Sequence, residues 1–249
     1  MLKIPKSHPR YLSLITREKI SKAQKKGLVH KTGLIAHGRG EAFDYLLGEK
    51  TLSFADESEK VAAAALICAK NPVISVNGNV VALAAEDCVK LSEKIPAKIE
   101  VNLFHRTDER MKKLGKELRL NGAKKIYGLK ADARIPGLEH DRGLCESEGI
   151  FSSDVLLVSL EDGDRAQALK NMGKKVVAID LNPLSRTAKT ADITIVDNVV
   201  RATPNISKWV ELLKKEDKKN LERLVLEWDN KKMLKESCHF ISKRLNSLY

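Results

Sequence analysis

Apolar residues change their rhythm near residue 71. Before it they recur at helical spacing: Leu12, Ile15 and Ile20 share one face of a stretch from Ser7 to Lys26, which Gly27 stops. A helix is expected at 42–47, after His37-Gly38-Arg39-Gly40, and another at 54–69. The latter opens with Asp56, Glu57 and Glu59, which suit the positive end of a helix dipole. It stops at Asn71-Pro72, because the residue before proline avoids helical angles. Beyond it, short apolar runs at 73–76, 99–103, 155–160, 176–179 and 193–196 alternate with segments of helical length. Those segments reach Lys94, span Thr107 to Asn121, and end at Met172. A further strand is expected at 126–129, and the stretch from Ile206 onward reads as amphipathic helix.

Short strands alternating with helices predict an α/β fold: a Rossmann-like, open, mostly parallel sheet with helices on both faces. A helical N-terminal appendage (1–70), the sheet-bearing core (71–205) and a helical tail (206–249) are read as one domain, since no linker rich in Gly, Ser and Pro divides them. The tail is expected to pack on the sheet or on a second copy of the chain.

Charge narrows the function. The 249 residues carry 45 Lys+Arg against 33 Asp+Glu, a net charge of +12 that attracts anions. Residues 3–31 are crowded with Lys and Arg and opposed only by Glu18. With aromatics at 4% and no RNA- or DNA-binding motif, no nucleic-acid partner is expected, and a phosphorylated small substrate accounts for the charge. No apolar run is long enough for a membrane span, and the first residues lack a signal-type apolar segment. Cys68, Cys88, Cys145 and Cys238 show no CxxC spacing, so reduced thiols in a cytoplasmic protein are expected, without a zinc site.

In open α/β sheets, ligands lie beyond the carboxyl ends of the strands, near a topological switch point. Here those ends carry Asn77-Gly78-Asn79, Asn102, Glu161-Asp162-Gly163-Asp164, Asp180-Leu181-Asn182 and Asp197-Asn198. Any one of them is accounted for as a turn or helix cap; all of them together point to a site. Asp180 and Asn182 suit ribose hydroxyls or a base edge. Pro183 fixes the turn, and Ser185, Arg186 and Thr187 start a short helix where N–H groups, a hydroxyl and a guanidinium converge on an anion. Asn198 suits the edge of an adenine. This is nucleotide chemistry without GxGxxG or a P-loop.

In GLIAHGRGEAFDYLLGE, from Gly33, the glycines Gly38 and Gly40 would bring backbone close to a phosphate where a helix begins, with Arg39 between them. The alternative is a tight turn bearing a surface charge. His37 is a structural histidine or a catalytic base. Arg10 and Arg17 fall on one helix face. The loop from Glu161 to Asp164 either holds Mg²⁺ together with phosphates or caps a helix.

Seven stretches occur in a distinctive order: HPRYLSLITRE, GLIAHGRGEAFDYLLGE, NPVISVNGN, EVNLFHR, LEDGDRAQAL, IDLNPLSRTA and IVDNVVRATPN. Together, over residues 7–205, they resemble the archaeal phosphopantothenate synthetase family, also called 4-phosphopantoate–β-alanine ligase. The resemblance implies an ATP-dependent ligase of coenzyme A biosynthesis, acting through an acyl-adenylate with release of AMP and diphosphate. It implies a homodimer, and Mg²⁺ is expected with the ATP. The ATP site it implies uses Arg17, Arg39, Asp180, Leu181, Asn182, Arg186, Thr187, Asn198 and Val199. In such a reaction Arg39 and Arg186 are expected to act as the catalytic counter-charges. Arg10, Asn77, Asn79 and Arg106 are candidates for the substrate phosphate. Two rivals remain: an ADP-forming, kinase-like enzyme acting on a small acid, and a non-catalytic nucleotide- or nucleic-acid-binding protein.

Overall fold

The computed structural model describes residues 4–160 and 162–247. Helices α1 (Tyr11–Lys25), α2 (Lys31–Leu47) and α3 (Ser53–Cys68) precede strand β1 (Pro72–Val76). Then follow α4 (Gly78–Lys94), β2 (Lys98–Val101), α5 (Asp108–Leu120), and a two-residue antiparallel pair, β3 (Ala133–Arg134) with β4 (Leu144–Cys145). The chain continues through β5 (Val155–Ser159), α6 (Gly163–Asn171), β6 (Lys175–Ile179), α7 (Arg186–Thr190) and β7 (Ile193–Ile195). It closes with α8 (Val199–Leu213), α9 (Lys218–Leu226) and α10 (Asn230–Asn246).

The main sheet has the order β2-β1-β5-β6-β7, and every pairing in it is parallel. Every residue of β1 and β5 is buried, which is why these strands are continuous apolar runs rather than alternating ones. Ile74, Val76, Leu157, Val177 and Ile179 pack on one face with α3, α4 and α8; Val73, Leu156, Val158 and Val176 pack on the other with Ala166 and Leu169 of α6. The strand order reverses between β1 and β5, so their carboxyl ends flank the switch point. Asn77 spans that gap: its side-chain N–H donates to the Ser159 carbonyl at 2.9 Å, and its Oδ1 caps α4 through the Val80 N–H at 3.1 Å.

The start expected for the second helix is corrected. The second helix starts at Lys31, not 42, so Gly38, Arg39 and Gly40 lie in mid-helix and their N–H groups serve helical bonds. Glycine weakens an isolated helix, but α2 is held from outside by packing across the carboxyl edge of the sheet. The helical N-terminal portion contributes residues 61–66 of α3 to the main core. Helix α8 runs across position 205/206, and its Ala202, Ile206 and Val210 belong to the same core.

The strand expected at 126–129 shrinks to a single bridge, from Tyr127 to Glu100 on the free edge of β2. Gly128 explains this. It adopts φ +84°, and a Cβ there would stand 2.1 Å from the Val101 carbonyl oxygen. Gly128→Ala is therefore expected to cost about 3 kcal/mol, read as a lower unfolding midpoint. An unchanged midpoint would contradict this account of the turn.

Among the described residues, no helix is long and apolar enough to cross a membrane. The four cysteines are free thiols.

Candidate active site at the carboxyl edge of the sheet

Beyond β6, the Asp180 carboxylate accepts hydrogen bonds from the Asn182 N–H (2.9 Å) and the Ser185 hydroxyl (2.5 Å). Asn182 in turn accepts from the Leu184 N–H at 2.9 Å, and Ser185 caps α7 through the Ala188 N–H at 2.9 Å. Burial pushes the Asp180 carboxyl up from its usual range, against these hydrogen bonds and the charge of Arg39. Turn and cap chemistry thus accounts for much of the polar run. It also sets Arg186 at the start of α7, as the sequence predicts, with its side chain 72% exposed and paired to Asp164 at 2.7 Å. Gly163 permits that contact between α6 and α7, because a Cβ there would lie 2.5 Å from the Cβ of Arg186. Thr187 is buried.

Glu161 lies outside the described residues. Asp162 caps α6, its Oδ1 accepting from the Asp164 N–H at 3.0 Å, so the cap is realised at this position. Beyond β7, Asn198 caps α8 through the Val200 N–H (3.3 Å), while its amide donates to Asp44 of α2 (2.9 Å). The amide expected to read a base edge is thereby held within the protein. Leu181 and Val199, each 5% exposed, supply apolar wall.

Helix α2 crosses above these strand ends. Its His37, Gly40 and Glu41, with Leu83, Leu160, Ile179, Leu181 and residues 197–199, enclose a central pocket. Among the described residues His37 Nε2, buried there, has no hydrogen-bond partner, and burial favours the neutral ring by lowering its pKa. Arg39 is exposed, and its charge reaches Asp180. Arg17 sits on the rim, its Nε donating to both oxygens of Glu41 at 2.7 and 2.9 Å. Arg10 is more firmly engaged: it donates to Glu49 at 2.7 to 3.1 Å and lies over the Tyr45 ring.

A second cleft adjoins the first across Leu160 and opens at the switch point. Asn77, Asn79, His30, His105, Arg110 and Arg142 line it, and among the described residues no carboxylate does. The rings of His30 and His105 lie tilted with centroids 3.9 Å apart, and Phe104 meets His105 edge-on and His140 at a tilt. Burial lowers the pKa of His30, helped by the charges of His105 and Arg110. Of the four phosphate candidates, Asn77 and Asn79 reach this cleft. Arg106 instead donates to the Gly128 carbonyl at 2.7 Å, and Arg10 lies at the opposite rim with Glu49. Sequence reasoning missed Arg110 and Arg142. For Arg110 the available signal was its place in the first turn of α5, soon after the end of β2; Arg142, in the segment before β5, gave no such signal.

The fold and edge define a class: an open α/β protein with a cationic rim and two adjoining polar clefts at its topological switch point. The chain belongs to the phosphopantothenate/pantothenate synthetase family, whose model matches residues 54–244. It is 51% identical over 249 residues to the 4-phosphopantoate–β-alanine ligase of Thermococcus onnurineus, covering 100% of this chain and 95% of the relative. It is 50% identical over 248 residues to the ligase of the same name from Methanosarcina mazei, covering 100% and 98%. A third such ligase, from Methanospirillum hungatei, is 51% identical over 242 residues, covering 97% and 98%.

Proposed function

We propose that this protein is an ATP-dependent 4-phosphopantoate–β-alanine ligase, a cytoplasmic enzyme of coenzyme A biosynthesis. What supports the residue assignment is the strand-end pocket lined by Ile179, Leu181 and residues 197–199: Glu41, the partner of Arg17, also lines it, the charge of Arg39 reaches Asp180, and Arg186 starts the helix that follows the same strand end.

A carboxylate resists attack by an amine, because its leaving group would be oxide. In the proposed reaction, the carboxylate oxygen of phosphopantoate attacks the α-phosphorus of ATP and diphosphate leaves, giving an acyl-adenylate. The neutral amine of β-alanine then attacks the acyl carbon. The C–N bond forms, the C–O bond to AMP breaks, and one amine proton is lost. The chain's task is to align the reactants and neutralise the developing charge. Arg39 and Arg186 supply guanidinium groups at the phosphates, and Arg17 exchanges its Glu41 partner for a phosphate oxygen. Asp180, Leu181, Asn182, Thr187, Asn198 and Val199 form the nucleoside side of the pocket.

The second cleft, with Arg110 and Arg142 and no carboxylate, suits the phosphorylated acid. Mg²⁺ is held as a rule by one or two carboxylates plus substrate phosphates, and Asp164, 57% exposed beside Arg186, is such a carboxylate. The ion would supply counter-charge to the triphosphate. A homodimer is part of the proposal. Leu34, Ile35 and Tyr45 of α2, with Leu12 of α1, are 37 to 68% exposed, apolar surface suited to a second copy.

An assay of nucleotide products, omitting each substrate in turn, tests the reaction. AMP and diphosphate are expected only when ATP, phosphopantoate and β-alanine are all present, apart from adenylate formation limited to the enzyme itself. Release of ADP, or turnover without the acid, would refute it.

A further inference from the structure

A buried ion cluster lies directly behind the central pocket. Arg201, in the first turn of α8, donates from Nη2 to Asp44 Oδ1 at 2.6 Å and from Nη1 to Asp44 Oδ2 at 3.2 Å. Its Nε donates to Asp197 Oδ1 at 2.8 Å. Both carboxylates are 1% exposed. Each is tied further: the Thr51 hydroxyl donates to Asp197 Oδ2 at 2.5 Å, and the Asn198 amide donates to Asp44 Oδ2 at 2.9 Å. Asp197 and Asn198 line the central pocket, whereas Arg201 does not. One guanidinium therefore joins α2, the end of β7 and the start of α8 at the corner where the pocket is made.

We infer that Arg201 is a positioning residue for the nucleotide, acting through Asp44 and Asp197 on Asn198 and on the placement of α2. The inference rests on the reading of residues 180–199 as the nucleotide site. Its physical basis is charge as well as shape. Two buried carboxylates share a single cation, and the pocket in front of them must accept a polyphosphate. Removing the cation leaves two uncompensated negative charges behind the site of a polyanion, in surroundings that screen poorly. It also frees Asp44 to withdraw from Asn198, because the carboxylate then seeks water. The penalty falls on ATP rather than evenly on all substrates. A guanidinium is needed because one planar fork has to reach two carboxylates at once, which a lysine ammonium does less well.

The test is the Michaelis constant of each substrate in wild type, Arg201→Met, Arg201→Lys and Asn198→Ala, with the unfolding midpoint measured alongside. Arg201→Met is expected to raise KM for ATP by about tenfold or more, while KM for phosphopantoate and β-alanine stays within about twofold. Arg201→Lys restores the charge and is expected to recover part of the loss. Should Arg201→Met fail to fold, Asp44→Asn, which conserves volume and weakens the same link without leaving excess negative charge, isolates the positional part and is expected to give a smaller but still ATP-selective rise in KM. A lowered midpoint with KM for ATP unchanged, or equal changes in every KM, would mean that the cluster is structural only and would overturn the inference. Asn198→Ala separates the two readings. If it raises KM for ATP and the Arg201 variants do not, the positioning role alone fails; if neither does, the nucleotide reading of this corner fails.

Discussion

Arg39→Ala and Arg186→Ala each lower AMP-forming turnover by about 100-fold or more, the usual cost of removing one aligned donor from developing transition-state charge. The prediction is clean because neither side chain supports the fold. Arg39 is exposed. The Arg186 side chain is 72% exposed, and its ion pair with Asp164, itself 57% exposed, is of a kind that contributes little to stability. Unfolding midpoints are therefore expected to stay near wild type while kcat and kcat/KM fall together, the pattern of an interaction made chiefly in the transition state. Arg186→Lys keeps the charge but loses the planar fork, and an intermediate rate is expected. Single-turnover measurement of adenylate formation checks the assignment. Near-wild-type rates in both alanine variants would remove these arginines from the reaction.

Glu59→Gln makes the protein more stable at pH 9, with the advantage shrinking towards pH 5. Glu59 is fully buried in α3, and its pKa is pushed up to about 9, chiefly by burial and further by the charges of Asp197 and Asp56. The hydrogen bond from Asn205 opposes the shift only in part. In the unfolded chain, the same carboxyl ionises in the ordinary range between 4 and 5. Between those two values the folded protein holds a proton that the unfolded chain releases, so wild-type stability falls as pH rises across the window. With relaxation around the buried site, the loss should amount to about 2–4 kcal/mol at pH 9. Glutamine has the shape of the protonated acid, can still accept from Asn205, and has no proton to lose. Thermal unfolding of both proteins from pH 5 to pH 9 decides the matter; a midpoint difference independent of pH would show that Glu59 ionises normally.

The strands were legible because a parallel sheet covered on both faces demands continuous apolar runs, and 73–76, 155–160 and 176–179 have no other use. Their order was not legible, since nothing in β5 names β1 rather than β2 as its neighbour. The helix start at Ser185-Arg186 was readable from local chemistry, because a serine cap acts within three residues of itself. Gly38-Arg39-Gly40 was misread for a related reason. Local propensity treats paired glycines as a break, whereas the support for α2 comes from elements far away in sequence. The ion cluster was hidden in the same manner. Asp44 and Arg201 both stand inside recognisable motifs, yet they are 157 residues apart, and no spacing rule joins them. Arg110 and Arg142 likewise meet in one cleft only after β2 and the segment before β5 are placed.

The bond from Arg201 back to Asp44 also carries a consequence for synthesis. Helix α2 leaves the ribosome early, but the residue that locks it down emerges 157 residues later. At usual elongation rates of about 5–20 residues per second, that delay is roughly ten to thirty seconds. Throughout it the helix lacks its counter-ion while the sheet edge that it covers is still being completed, and Asp44 remains in water. The corner that Arg201 closes is thus completed late, around a segment that was translated among the first.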